Sequence, residues 1–202
     1  GMARVDVTVR GGGIFGLSVA WACLKRGARV RVIETAAWGA GSSGGLVGAL
    51  SPHVPEAWNA KKAFQLESLL MAAGWWAAVE TASGLPSGYA QLGRLQPLAD
   101  DRAVEAARRR ATEAAALWQG RADWRVIPAS GAAWEPKTVT GWLVHDTLSA
   151  RLSPRMGLGA LLAVLKTGGA DLILGDGVED GAVVHANGVA GLADLSHVFD
   201  LP

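Results

Sequence analysis

Val5, Val7 and Val9 alternate with polar residues and run into Gly11-Gly12-Gly13-Ile14-Phe15-Gly16. Residues 17–26 then have strong helical character, Gly27 stops them, and residues 28–34 resume an alternating pattern that ends on Glu34. The order predicts strand, glycine turn, helix and second strand, a βαβ unit of the usual length. Further on, Phe64, Leu66, Leu69, Leu70, Ala73, Trp76 and Val79 recur close to i, i+3, i+4, which predicts a helix over 60–81 ended by the Gly84-to-Gly88 stretch. A short strand with a glycine interruption is expected over 89–98, a second amphipathic helix over 101–118, and strands over 124–128 and 138–145. Residues 151–166 predict a helix begun by Ser153 as N-cap with Pro154 in the first turn and closed by Gly168-Gly169. Strands over 170–175 and 181–188 flank a turn that holds Val178.

The first unit carries the chemistry. Gly11 permits the tight turn, Gly13 lets a pyrophosphate approach the backbone, and Gly16 lets helix and strand pack closely. Unpaired N–H groups and the positive end of the helix dipole then favour anionic oxygen with no basic side chain needed. Glu34 is placed to accept hydrogen bonds from adenosine ribose hydroxyls and would repel a 2′-phosphate, so NADP is disfavoured while FAD and NAD remain.

Composition narrows the partners. The 202 residues, half of them apolar, suffice for one large domain or two small ones. Nineteen Lys and Arg against eighteen Asp and Glu give a formal charge of +1, without the basic field that nucleic acid or an anionic membrane requires. Arg108, Arg109 and Arg110 are expected on the solvated face of their helix, their field mostly cancelled by Glu105 and Glu113. The expected partner is therefore a small molecule. Cys23 is the lone cysteine, which excludes an internal disulfide and a cysteine-rich metal site and suits the cytoplasm. No apolar run reaches membrane-spanning length, and the chain enters its first strand with no signal peptide expected. Most of the nine tryptophans are read as packing residues, and His53 as a surface or packing residue rather than a catalytic group.

After Glu34 the chain runs from Thr35 through a stretch of glycine, serine and alanine with almost no charge. Gly41, Ser42, Ser43, Gly44, Gly45 and Leu46 resemble the segment that follows the ribose-binding Glu and passes along the flavin in the D-amino-acid oxidase and glycine oxidase family. Small residues there let backbone N–H groups and hydroxyls reach a buried, extended cofactor. The resemblance extends to the C-terminal third. There the family shows a Pro-led helix, a strand, a valine whose backbone meets adenine, and a strand ending Ala-Thr-Gly or Ala-Ala-Gly beside the cofactor. Val178 and Ala186-Asn187-Gly188 are the counterparts, with Asn187 a departure and the connection after Val178 shorter than the family often has.

The resemblance implies FAD as cofactor and an α/β fold: a glutathione-reductase-type Rossmann FAD-binding domain, residues 1–56 and 150–202, interrupted by a mixed α+β cap or substrate domain over 57–149. The cofactor contacts it implies are Gly11, Gly13, Ile14, Phe15, Gly16, Glu34, Thr35, Ser42, Ser43, Gly44, Gly45, Leu46, Val178, Ala186, Asn187 and Gly188. The implied reaction is oxidation of a small amine or amino acid by hydride transfer to flavin N5, with secondary amines such as sarcosine a neighbouring substrate class. Family members continue well beyond the equivalent of Pro202, and the residues that pair the substrate carboxylate usually come from that part, so no catalytic residue is assigned. The competing expectation is a truncated or non-catalytic dinucleotide-binding module that needs further polypeptide or a partner. A cap lacking strands would expose unpaired edges and favour association, including as a homo-oligomer.

Overall fold

The structure, a computed structural model, describes residues 4–40, 49–50 and 60–187. The chain divides into two compact units, Gly1–Gly48 with Gly74–Tyr89 and Leu152–Pro202, and Ala49–Ala73 with Ala90–Arg151. Helix α2 (Ala60–Ser83) contributes residues to both.

The first unit is an α/β fold around a parallel sheet, as the alternating segments and the helix between them require. Strands β1 (Val7–Arg10), β2 (Val30–Glu34), β8 (Asp171–Leu174) and β9 (Ala182–His185) lie in the order β8-β2-β1-β9, all parallel. Helix α1 (Ile14–Lys25) joins β1 to β2 and packs against α4 (Pro154–Thr167), which precedes β8. Val9, Val30 and Val32 are buried with Leu17 and Ala20 of α1 and Leu161 and Val164 of α4. The Ser153 hydroxyl accepts from the Met156 N–H and Pro154 occupies the first turn, as its sequence predicts. Helix α1 begins three residues earlier than its apolar run suggests (Ile14 rather than Leu17), so Gly16 sits inside its first turn.

The opposite face of the sheet is mixed, with Thr8, Arg10 and Arg31 beside Ile33 and Ile173. Thr8 and Arg31 alternate with the valines and are equally buried, because the Gly175-to-Gly181 connector from β8 to β9 runs across them. The Arg31 guanidinium donates to the Val178 carbonyl at 2.7 Å and to Asp171 at 2.8 Å. The Thr8 hydroxyl donates to the Asp180 carbonyl at 2.6 Å and accepts from the Asp180 N–H at 2.9 Å. Arg10 pairs with Glu179, and the Val5 N–H donates to the Asp180 carboxylate at 3.0 Å. Parallel sheets are ordinarily apolar on both faces. Here the alternation in β1 and β2 records one face that is covered by an extended, hydrogen-bonded segment instead of a helix.

The second unit is built on an antiparallel sheet, β4 (Arg94–Pro97), β6 (Trp142–Asp146) and β5 (Trp124–Pro128), in the order β4-β6-β5. Helix α3 (Asp101–Trp118) packs against β5, with the Asp100 carboxylate accepting from the Ala103 N–H at its start and Gln119 in the left-handed conformation at its end. Leu66, Ala114, Trp118 and Leu148 form its core, with Leu70, Leu117, Ala122 and Trp124 packed around them. A two-residue pairing, β3 (Ala49–Leu50) with β7 (Ala150–Arg151), is too short to show as a pattern in sequence.

Two strand expectations shrink. The strand expected over 138–145 begins only at Trp142, because the Thr138 and Thr140 hydroxyls donate to the Leu98 carbonyl and Gly141 adopts φ +79°, which turns the chain. The segment over 89–98 is regular only from Arg94, since Gly93 at φ +69° lies against the Asp146 carbonyl, where a Cβ would come within 2.5 Å. The eight tryptophans among the described residues are also less buried than expected. Trp21, Trp76 and Trp118 are core residues, Trp38, Trp75, Trp124 and Trp142 are half-buried, and Trp134 is 76% exposed. Arg108 and Arg109 are exposed as expected while Arg110 is half-buried, with Arg108 stacked on the Trp142 ring at 4.5 Å and Arg109 paired with Glu105 at 3.5 Å. No described helix is long and apolar enough to cross a membrane.

Candidate cofactor site

In a parallel sheet every strand delivers its following loop to the same edge, and a ligand binds where neighbouring connections diverge. In this sheet β1 lies between β2 and β9, so the turn after β1 stands at that point, flanked by the loop after β2 and the end of β9.

The turn is made of backbone. The Gly11 N–H donates to the Ile33 carbonyl at 2.9 Å, and Gly11 has φ +122°, a conformation closed to L side chains. A Cβ on it would also meet the Ala186 carbonyl carbon at 2.8 Å and the Asn187 side-chain oxygen at 2.9 Å. A Cβ on Gly16 would overlap the Gly11 carbonyl oxygen, and its next neighbours would be the Gly11 carbon at 2.9 Å and the Ala186 methyl at 3.2 Å. Gly13 is the N-cap of α1 and offers no side-chain cap, and the first turn, which contains Ile14 and Phe15, carries no acidic residue. The positive end of α1 therefore faces an edge built without side chains, the condition for an anion to approach.

Glu34 closes β2 and is 7% exposed. Its Oε1 accepts from the Gly12 N–H and its Oε2 from the Ala36 N–H, both at 2.9 Å. The carboxylate is thus oriented by backbone on both oxygens while each keeps a further lone pair for a hydroxyl donor. Thr35 follows it and is exposed.

Gly11, Gly16, Ala186 and Asn187 form one cluster, and Glu34 is tied to it through Gly12. Val178 lies on the connector, 58% exposed, with its carbonyl held by Arg31. Ser42, Ser43, Gly44, Gly45, Leu46, Gly188 and His53 lie outside the described residues.

The sequence reading missed Gly12, Trp38 and Arg31. Gly12 falls at a variable position of the motif, Trp38 sits in a low-complexity stretch, and an arginine inside an alternating strand reads as solvated. The signal for Arg31 was the acidic connector that follows β8. Among the connector carboxylates Asp180 is held below its ordinary range, first by the Val5 N–H and further by the Gly181 N–H and the charges of Arg4 and Arg31. The Cys23 thiol and the Tyr89 hydroxyl are both pushed up by burial. Among the described residues no group of His, Cys, Asp and Glu could hold a metal ion.

The residues present fit a dinucleotide: glycines whose Cβ atoms would fill the cradle, a helix start whose N-cap is a glycine, and a buried, oriented carboxylate that suits ribose hydroxyls.

Comparison with known proteins agrees. The family model described as DAO, FAD dependent oxidoreductase, matches residues 6–198. The glycine oxidase of Geobacillus kaustophilus superposes with a TM-score of 0.72 at 20% identity, over 100% of this chain and 60% of that one. The L-amino acid deaminase of Proteus vulgaris gives 0.70 at 20% identity, over 92% and 48%. The L-proline dehydrogenase of P. horikoshii gives 0.68 at 20% identity, over 96% and 55%. At such identities these likenesses establish the fold, and the chain spans 60% of the length of the first. No curated protein matches the chain significantly.

Proposed function

The chain belongs to the FAD-dependent oxidoreductase family, whose cofactor is FAD, and from that premise we propose that it serves the oxidation of a small amine or amino acid. The observation that carries the reading is the glycine cradle at the β1 carboxyl end with Glu34 pinned beside it. The names of the similar structures, a glycine oxidase, an L-amino acid deaminase and an L-proline dehydrogenase, support the substrate class.

In this reading Gly11, Gly13, Ile14, Phe15 and Gly16 form the cradle that receives the pyrophosphate at the positive end of α1. Glu34 accepts from the ribose hydroxyls, with Thr35 beside it. Ser42, Ser43, Gly44, Gly45 and Leu46 line the extended cofactor, and Val178, Ala186, Asn187 and Gly188 complete its contacts. FAD, held by these residues, would supply the redox chemistry as hydride acceptor for the carbon that bears the amine. The chain itself has to hold and orient the cofactor, admit the unprotonated amine and exclude competing reactions. The nucleotide-binding part corresponds to the glutathione-reductase type, and residues 57–149 to a mixed α+β substrate domain, as the antiparallel sheet and helices of the second unit support. The proposed compartment is the cytoplasm, and the proposed assembly is a homo-oligomer.

A second reading is a non-catalytic dinucleotide-binding module that needs further polypeptide or a partner, since the cradle and Glu34 account for nucleotide binding without any residue assigned to catalysis. The visible spectrum of the purified protein, followed by flavin fluorescence in the supernatant after heating, tests the cofactor. Bound FAD justifies screening glycine, sarcosine, L-proline and D-amino acids for bleaching of the flavin band. Bleaching supports the enzyme reading and sinks the module; a flavin band that no amine bleaches, or a protein that refuses FAD, supports the module and sinks the enzyme reading for this chain.

A further inference from the structure

Gly12 is the one glycine of the turn whose presence the motif does not explain, since it stands at a variable position and its φ lies outside the left-handed region. Its cause is steric. A Cβ there would overlap the Trp38 ring, coming within 2.7 Å of Cζ3, and would approach the Glu34 Cβ at 2.8 Å. The same residue is held on its other sides, with its N–H donated to Glu34 at 2.9 Å and its carbonyl accepting from the Gly39 N–H at 2.8 Å. Gly39 in turn has φ +84° and lies so close to α4 that a Cβ on it would meet the Leu158 methyl at 2.9 Å. The loop after β2 thus runs from α4 to the glycine turn, and the Trp38 ring is the flat surface it presents to Gly12.

Resting on the FAD reading above, we propose that Trp38 is a positioning residue for the cofactor: its ring, packed on Gly12, holds the glycine turn in its phosphate-accepting form before the dinucleotide arrives. A turn made of consecutive glycines has unusual freedom to lose on binding, and a rigid aromatic wall removes that freedom beforehand. Backbone bonds to Glu34 and Gly39 set the position of the Gly12 peptide, and the ring blocks its excursion towards the loop. Gly12 and Trp38 are therefore a complementary pair, one lacking a side chain because the other fills its place.

The test is ADP affinity by calorimetry and FAD uptake by the apoprotein, each with the apoprotein melting temperature measured alongside. Trp38→Ala is expected to weaken ADP and FAD alike, on the order of tenfold, by more than any rise in the unfolded fraction accounts for. Trp38→Phe, which keeps an aromatic face, is expected to restore most of the affinity and guards against a poorly folded alanine variant. Gly12→Ala is expected to cost more in the wild type than in the Trp38→Ala background, because removal of the ring makes room for the methyl group. Unchanged ADP affinity in Trp38→Ala, a loss that tracks the unfolded fraction, or losses from the two sites that add independently would each overturn the inference. A wild-type protein that takes up neither ADP nor FAD overturns the cofactor reading and this inference with it. Normal wild-type uptake beside an unaffected Trp38→Ala overturns this inference alone.

Discussion

The turn between β1 and α1 and the connector between β8 and β9 are both glycine-rich and both belong to the same sheet, yet they are held by opposite means. The turn is shaped by exclusion. Gly11 and Gly16 touch where a Cβ would collide with backbone, and Glu34 is the one charged side chain that bonds to it among the contacts described above. The connector is shaped by attraction, with Arg31, Arg10 and Thr8 reaching up from the sheet to Val178, Glu179 and Asp180. Steric confinement leaves an edge of glycine backbone that an anionic ligand can approach closely, whereas the connector is filled by the side chains that hold it. The contrast explains why the candidate site lies at the turn while the connector serves as a cover.

The sharpest way to break the comparison is a single methyl group. Gly16→Ala is expected to cost at least about 3 kcal/mol, since its Cβ would overlap a backbone oxygen that cannot move aside, and to abolish FAD uptake. Gly177→Ala, on the connector, should cost far less, because the nearest atoms to its Cβ are side-chain carbons of Ile33 and Ile173 at 3.0 to 3.1 Å, which can shift where backbone cannot. Urea unfolding of the two variants decides the matter, and equal losses would erase the distinction.

Next in size is the buried charge. Arg31 is 2% exposed, and its partner Asp171 is about half exposed. Arg31→Met should destabilise by about 1–3 kcal/mol, less than a fully buried pair would because Asp171 can be rehydrated. Thermal unfolding checks this, and a neutral result would mean the arginine is tolerated rather than used.

A smaller effect is expected with pH. Asp180 has its folded pKa depressed, so the stability it contributes is present above its unfolded value, near 3.8, and is lost as pH falls through the lower folded value. Asp6 behaves likewise through its hydrogen bonds to Arg29. Asp180→Asn, which can still accept from the Val5 N–H, should therefore flatten part of the decline in melting temperature below about pH 4. An unchanged acid limb would show that the connector is held by its backbone bonds alone. The smallest effect lies in the second unit, where Glu67 and Arg121 form a two-point pair at 2.6 and 2.9 Å on the surface. Glu67→Gln should leave the melting temperature nearly unchanged, as exposed pairs usually do.

Much of the first unit was legible in the amino-acid order because its signals are local. The alternation of valines, the glycine spacing, the acidic end of β2 and the Ser153-Pro154 helix start each act over a few residues, and the elements appear in that order, with only the start of α1 displaced by three residues. The bounds that shifted were set by contacts from elsewhere. Thr138 and Thr140 turn the chain by reaching Leu98, and Gly93 bends against Asp146. The tryptophans misled because bulk and apolarity do not say which ring meets a neighbour; Trp134 meets solvent, and Trp142 meets an arginine.

Sequence by itself determined the βαβ unit, the glycines at its turn and the carboxylate that ends it, since steric freedom and side-chain period are properties of neighbouring residues. Tertiary structure alone decided that Arg31 would be buried, that the connector would cover the mixed face of the sheet, and that Trp38 would rest on Gly12. Val5 and Thr8 meet Asp180 across |i−j| of 175 and 172 residues, and Glu34 meets Gly12 across 22. Such pairings exist only once the strands are side by side, and no local pattern of residues announces them.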